Sequence, residues 1–326
     1  MSNNNLQKVI TLFQYMYRNT DEEHPVSMAR ILKDMEEQYG LSLSDETVKA
    51  YFRAIREFTD LDVVQTQRGR YAKHYLTGRL FQKEELRVLI DAVNSSMLIN
   101  EKNSKSINKR LLSLASAAEE KTIVKNALGI SAAKSLTNNT WVKISAIEEA
   151  INKNCQVSFF YSRWNSEKKL EKGKEHKVSP FFFLWGCDRY YLYCYENGKT
   201  KTFRVDKIEK ITLCEDKREH LELGRRFSEK QINDYVAQRI DMFDGDVKEF
   251  TLLIPEKVIG AYIDRFGKDN ITVLGHQEEG LVITFKAAES DLLFGWILGV
   301  GVRKILSPES FKERGKEILQ KSSQIL

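Results

Sequence analysis

Residues 181–213 set the terms for the rest of the chain. They read FFFLWGCDRYYLYCYENGKTKTFRVDKIEKITL, two apolar, aromatic-rich runs flanking Glu196-Asn197-Gly198. Asn and Gly tolerate the positive φ that a tight primed turn demands, so the stretch predicts a β-hairpin. The first run carries Arg189, Tyr190 and Tyr191, and the second carries Lys201, Arg204 and Lys207. A small sheet this dense in aromatics and cations is either a core with a solvated rim or a surface for a planar or anionic ligand.

Charge separates these options better than bulk composition does. The chain has a net charge of +5 over 326 residues. Residues 1–78 hold 10 Lys and Arg against 11 Asp and Glu, residues 155–217 hold 13 against 9, and residues 247–326 hold 11 against 11. The positive excess gathers on the central segment, an electrostatic hint about its partners. Four cysteines, none in a C-x-x-C pair, suit reduced thiols in a cytoplasmic protein, with Cys155, Cys187 and Cys194 expected as small core residues. The start MSNNNLQKVI lacks a signal-peptide pattern, and no run of about 18 apolar residues predicts a membrane span.

The N-terminal 78 residues predict three helices and a hairpin. Leu6, Val9, Ile10, Phe13 and Met16 recur at helical spacing, as do Met28, Ile31, Leu32 and Met35 before Gly40, a residue suited to a C-terminal cap. Ser44 is a good N-cap for a third helix with Asp45 and Glu46 in its first turn. Its expected buried stripe is Val48, Phe52, Ile55 and Phe58, leaving Thr47, Lys49, Tyr51 and Arg53 on other faces. Strands at Asp62–Thr66 and Tyr71–Leu76 enclose Arg68-Gly69-Arg70. This pattern predicts a winged helix-turn-helix whose third helix enters a major groove and whose wing arginines, Arg68 and Arg70, meet phosphates or enter a minor groove. The candidate DNA contacts are therefore Thr47, Lys49, Tyr51, Arg53, Arg68 and Arg70. Small three-helix units also serve as protein-interaction modules, and the balanced charge of this third does not by itself select DNA.

Residues 79–140 predict a helical connector. Leu86, Leu89, Ile90, Val93 and Met97 form one stripe and Ile107, Leu111, Leu112 and Leu114 begin another, with Asn100–Ser106 read as a polar loop. Such helices either pair with a second copy, giving a homodimer, or brace the flanking domains. In residues 141–225, a helix from Trp141 precedes about five short strands, with Ser162–Lys177 as a charged surface loop. That order suits a small SH3- or Sm-like β-barrel. Residues 226–246 are expected to link. Residues 247–326 then run β-α-β-β-α-β, the ferredoxin-like order.

The central residues resemble the WYL domain. The triplet that names it reads Tyr190-Tyr191-Leu192 here, with Tyr in place of Trp. Phe160-Tyr161, Val178-Ser179-Pro180 and Phe203-Arg204-Val205-Asp206-Lys207-Ile208 carry the remaining likeness, while Lys201 stands where the family often has Arg. Trp296–Gly301 followed by Pro308 resembles the C-terminal extension found after such domains. The resemblance implies an α+β multidomain bacterial transcriptional regulator: winged helix-turn-helix, helical connector, WYL barrel and C-terminal ferredoxin-like domain. It implies a double-stranded DNA operator and a nucleic-acid or nucleotide-like effector held by Tyr161, His176, Arg189, Tyr191, Lys201 and Arg204. Tyr191 is equally suited to barrel core, and Arg204 to an ion pair near Asp206. An accessory protein that holds single-stranded nucleic acid and modulates a nuclease or another complex is the alternative.

Enzymatic readings find little purchase. The five histidines are scattered without metal-ligand spacing, and no G-x-S-x-G, G-x-x-x-x-G-K-[ST] or H-E-x-x-H pattern occurs. No cofactor is expected.

Overall fold

The computed structural model describes residues 3–67, 69, 71–125, 140–225, 227–243 and 245–323. The chain divides into two compact units, Met1–Asn138 and Asn139–Leu326.

The first unit comprises α1 (Asn3–Asn19), β1 (Val26–Ser27), α2 (Met28–Tyr39), α3 (Asp45–Phe58), β2 (Asp62–Gln65), β3 (Lys73–Thr77), α4 (Lys83–Ser95), α5 (Glu101–Leu112) and α6 (Ala117–Lys125). Local chemistry sets the helix ends. Gly40 closes α2 at φ 65°, a left-handed position that glycine takes without a Cβ clash. The Ser44 side chain accepts the Thr47 N–H and opens α3. Leu12, Tyr15, Met16, Ile31, Met35, Val48, Phe52, Ile55, Val63 and Leu76 form one buried core. Two sequence expectations fail here. Phe58 is 78% exposed, because it sits in the last turn of α3, beyond the reach of that core. In α1 the buried face is Leu12, Tyr15 and Met16, and Leu6 and Ile10 are exposed. The hairpin of β2 and β3 gains a third strand, β1, giving the order β1-β3-β2.

The connector is bound to these helices. The Tyr17 hydroxyl donates to the Leu114 carbonyl (3.1 Å), Arg18 donates to Ala115 (3.1 Å), and the Arg79 guanidinium donates to the Thr20 carbonyl (2.8 Å). Asn100–Ser106 is not a loop. Asn100 caps α5, Ser104 is buried with its hydroxyl donating to Val93 (3.4 Å), and the Asn108 amide donates to Asn94 (2.7 Å). These polar residues stay helical because α4 satisfies them. The end of the connector, residues 126–139, lies outside the described residues.

The second unit opens with α7 (Thr140–Lys153), followed by β4 (Cys155–Tyr161), β5 (Arg163–Trp164), β6 (Leu170–Glu171), β7 (Glu175–Gly186), β8 (Arg189–Glu196), β9 (Lys199–Arg204), a 3-10 turn (Val205–Lys207) and β10 (Ile208–Lys217). The five long strands form an antiparallel sheet in the order β10-β4-β7-β8-β9. Both hairpins on β8 use two consecutive positive-φ residues, Cys187-Asp188 and Asn197-Gly198, the geometry that matches strand twist. Alternation along β8 assigns the side chains: Leu192 and Cys194 join Val157, Phe159, Phe203 and Ile208 in a core capped by Ile147 and Ala150 of α7. Fully burying a side chain such as Phe159 stabilises by about 2–3 kcal/mol. The charged segment 162–177 is less irregular than expected: it holds the short β5–β6 hairpin and the start of β7.

The opposite face of that sheet is also covered. After α8 (Leu221–Arg225), α9 (Glu229–Ala237) supplies Tyr235 and Val236, and Met242 follows. They pack with Phe181, Leu184, Tyr191 and Tyr193 into a second core. Residues 227–243, expected as a linker, are therefore part of the central fold. The chain ends with β11 (Val247–Ile254), α10 (Ile259–Phe266), β12 (Thr272–Gln277), β13 (Gly280–Ala288), α11 (Asp291–Val300), β14 (Lys304–Ser307) and α12 (Glu309–Ser323). Its sheet runs β12-β13-β11-β14, wholly antiparallel, over a core of Phe250, Leu252, Tyr262, Phe266, Phe285, Phe294 and Phe311. No helix among the described residues is long and apolar enough to cross a membrane.

Candidate functional site

The edge of the central sheet carries an open pocket of about 620 Å³. Strand register brings its walls together. Tyr191 on β8 stands opposite Arg204 on β9, and Gly186 opposite Arg189 where the β7–β8 hairpin turns. The 3-10 turn then returns Lys207 to the same rim, and Tyr161 at the end of β4 reaches the Arg204 backbone, whose N–H donates to its hydroxyl oxygen (3.3 Å). Five of the six candidate effector residues, Tyr161, Arg189, Tyr191, Lys201 and Arg204, line this pocket.

His176 is placed elsewhere. Its ring packs against Phe159, Tyr161 and Phe203, and Nδ1 lies 2.8 Å from Glu196 Oε1. Glu196 also accepts from Lys201. Burial alone would raise the Glu196 carboxyl, but Lys201 and His176 hold it below its ordinary value. The His176–Glu196–Lys201 chain thus orders the inner side of β8 and β9, and Lys201 reaches the pocket already paired.

Arg204 is committed in part. Its guanidinium forks onto Asp206, with Nε at 3.1 Å and Nη2 at 2.7 Å. Burial pushes the Asp206 carboxyl upward, yet the hydrogen bonds and charge of Arg204, with Arg189 and Lys207 beyond, leave it lowered. The same crowding acts oppositely on Lys207, whose ammonium is lowered by burial and by the two guanidiniums. Burial likewise raises the phenols of Tyr161 and Tyr191. Arg189 and Lys207 form no ion pair among the described residues. Four cations line the pocket, and Asp241 is the only acid among the described lining residues. Chemically, the pocket offers two unpaired cations, a partly engaged guanidinium and tyrosine edges: donors for phosphate or carboxylate oxygens, with guanidinium planes on which a planar group can stack.

Tyr191 is 7% exposed and packs against Phe181, Leu184, Tyr193 and Met242, so most of its ring is core. Cys187 was expected inside. It is exposed, because the tight turn places it at the pocket rim, where Sγ donates to Asp241 Oδ1 (2.9 Å). Asp241, Met242 and Phe243 were not foreseen. They enter from beyond α9, and no local pattern in the sequence marks them as neighbours of β8.

In the first unit, Lys49 and Arg53 are exposed on α3. Lys49 pairs with Asp45 (2.5 Å), whereas Arg53 forms no ion pair among the described residues. Thr47 belongs to the cap, its hydroxyl 2.8 Å from that of Ser44. Tyr51 is half-buried against the core. Arg56 ties α3 to β2 through Asp62 (2.6 Å) and the Val63 carbonyl (3.1 Å). Arg68 and Arg70 lie outside the described residues.

Residues 143–213 match the family profile described as the WYL domain, and this match covers the pocket strands β4 to β9. No curated protein matches the chain. Among solved structures, one similar chain is titled proteasome accessory factor B/C (PafBC) of Arthrobacter aurescens: 14% identity and TM-score 0.30, over 95% of this chain and 47% of that one. This chain thus spans about half the length of that protein. Another is titled a CRISPR Cas-related protein, at 14% identity and TM-score 0.37, over 100% of this chain and 92% of that one.

Proposed function

We propose that this chain is a bacterial DNA-binding transcriptional regulator without enzymatic activity, in which the pocket of the WYL domain takes a nucleic-acid or nucleotide-like effector. The observation that carries the reading is the cationic pocket itself: Arg189 and Lys207 stand unpaired beside Arg204, inside the WYL-matched residues. Unpaired cations repel one another, so evolution of such a cluster is best explained by an anion that it receives. The reading for the first unit rests on α3, whose capped N-terminus and exposed Lys49 and Arg53 suit a groove-reading helix followed by a wing. Helix-turn-helix readers bind paired half-sites, which supports a homodimer on duplex DNA.

The pocket is tested by fluorescence anisotropy with a labelled single-stranded pentathymidylate. The Arg189→Ala/Lys207→Ala double variant is expected to lose binding by about tenfold or more, with little change in the unfolding midpoint, because both side chains are only half-buried and neither forms an ion pair among the described residues. Equal affinity in the double variant and the parent would refute the assignment of this pocket.

A further inference from the structure

Asp241, Met242 and Phe243 close the pocket from outside the WYL-matched residues, and their placement is fixed from two sides. Toward the C-terminal sheet, Ile240 is buried in that domain's core, and the Gln238 carbonyl accepts the Ala288 N–H (2.7 Å). Toward the central sheet, Met242 is 5% exposed beneath Gly186, where an added Cβ would lie 3.2 Å from its Cγ and Sδ. Asp241 and Met242 both hold positive φ, 49° and 57°, a conformation costly for residues with a Cβ and kept only where surroundings over-determine it. The Phe243 N–H donates to Ile240 (2.9 Å). The outcome is an aromatic ring, 56% exposed, held on a rigid backbone at the rim of a cationic pocket.

We infer that Phe243 is the stacking platform for the planar group of the pocket's anionic ligand, and that Asp241 tempers its affinity. This rests on the effector reading proposed above and extends it: the ligand is an aromatic anion, with phosphates at Arg189 and Lys207 and a base against Phe243. A merely apolar rim residue would be as well served by an aliphatic side chain turned inward. An exposed ring carried on an anchored backbone, in contrast, keeps an aromatic face available to a base.

The test compares pentathymidylate with an abasic pentamer of the same phosphate count, on the full chain. The parent is expected to bind pentathymidylate more tightly. Phe243→Ala should weaken pentathymidylate by about tenfold, leave the abasic pentamer unchanged and leave the salt dependence unchanged, since stacking releases no counterions. Phe243→Tyr should restore parental affinity. Asp241→Asn should tighten both oligomers by about threefold, as expected for removing one solvent-screened like charge. Equal parental affinity for the two oligomers, or equal loss of both in Phe243→Ala, would overturn the platform assignment while leaving the pocket reading intact. If the parent binds neither oligomer, the pocket reading falls and this inference with it.

Discussion

Arg204 decides how much of the pocket is scaffold and how much is free to bind, so Arg204→Ala is the most informative single change. The guanidinium makes two charge-assisted hydrogen bonds to Asp206, with the side chains 26% and 17% exposed. A fully buried pair would cost several kcal/mol to break, and a fully exposed one almost nothing. At this partial exposure, losing both bonds and leaving a half-buried carboxylate with only the charges of Arg189 and Lys207 near it should cost about 2 kcal/mol. The pH dependence carries the sign. In the parent the Asp206 carboxyl is held below its unfolded value, so its stabilisation is present above that value and lost only as pH falls through the folded one. Without Arg204, the burial penalty is opposed only by the charges of Arg189 and Lys207, so the carboxyl shifts upward from its parental position and takes a proton more readily as pH falls. The gap between parent and variant should therefore narrow as pH falls. Urea unfolding followed by tryptophan fluorescence reads this cleanly, because Trp141, Trp164, Trp185 and Trp296 all lie in the second unit. A loss under about 0.5 kcal/mol, flat with pH, would refute the structural role and return the whole guanidinium to the ligand.

Tyr191→Ala should destabilise the second unit by about 3 kcal/mol, since it empties a site among Phe181, Leu184, Tyr193 and Met242, whereas Tyr191→Phe should be nearly neutral. Equal effects of the two in urea unfolding would contradict a packing role. Gly315→Ala sets two effects against each other: helix propensity gains about 1 kcal/mol, but the new Cβ would sit 2.3 Å from Cε2 of Phe294, which is only 3% exposed. The clash should win, lowering the thermal midpoint, and an unchanged or raised midpoint would show that α12 shifts freely over α11.

Legibility in the sequence followed the range of the interactions. Ser44, Gly40 and Asn197-Gly198 were readable because a cap or a turn is decided within a few residues. The Phe203–Ile208 run was readable as a mark of the family resemblance, whereas its 3-10 turn at Val205–Lys207 was not anticipated. Asn100–Ser106 was misread because its polarity is answered by α4, a neighbour in space. Phe58 followed the helical period yet lies past the end of its core, so periodicity gave the face without its length. Five residues that line the pocket were named through the family resemblance, and the β8–β9 hairpin with the strands beside it brings them together. His176 could not be told apart from them, because its pairing with Glu196 depends on how β7 and β8 align. Asp241 and Phe243 were invisible for the opposite reason: their partners stand about fifty residues earlier, and nothing in a polar linker announces the left-handed turn that delivers them.

On the proposed reading, this chain regulates by binding duplex DNA through α3. The most direct test of that claim is the affinity of the full chain for a duplex, measured across salt concentrations for the parent and for Lys49→Ala/Arg53→Ala. Phosphate contacts release counterions, so log affinity should fall linearly with log salt in the parent. The double variant should bind more weakly, with a shallower slope by about 1 to 2. A parent that does not bind duplex DNA, or a variant with unchanged affinity and slope, would contradict the claim.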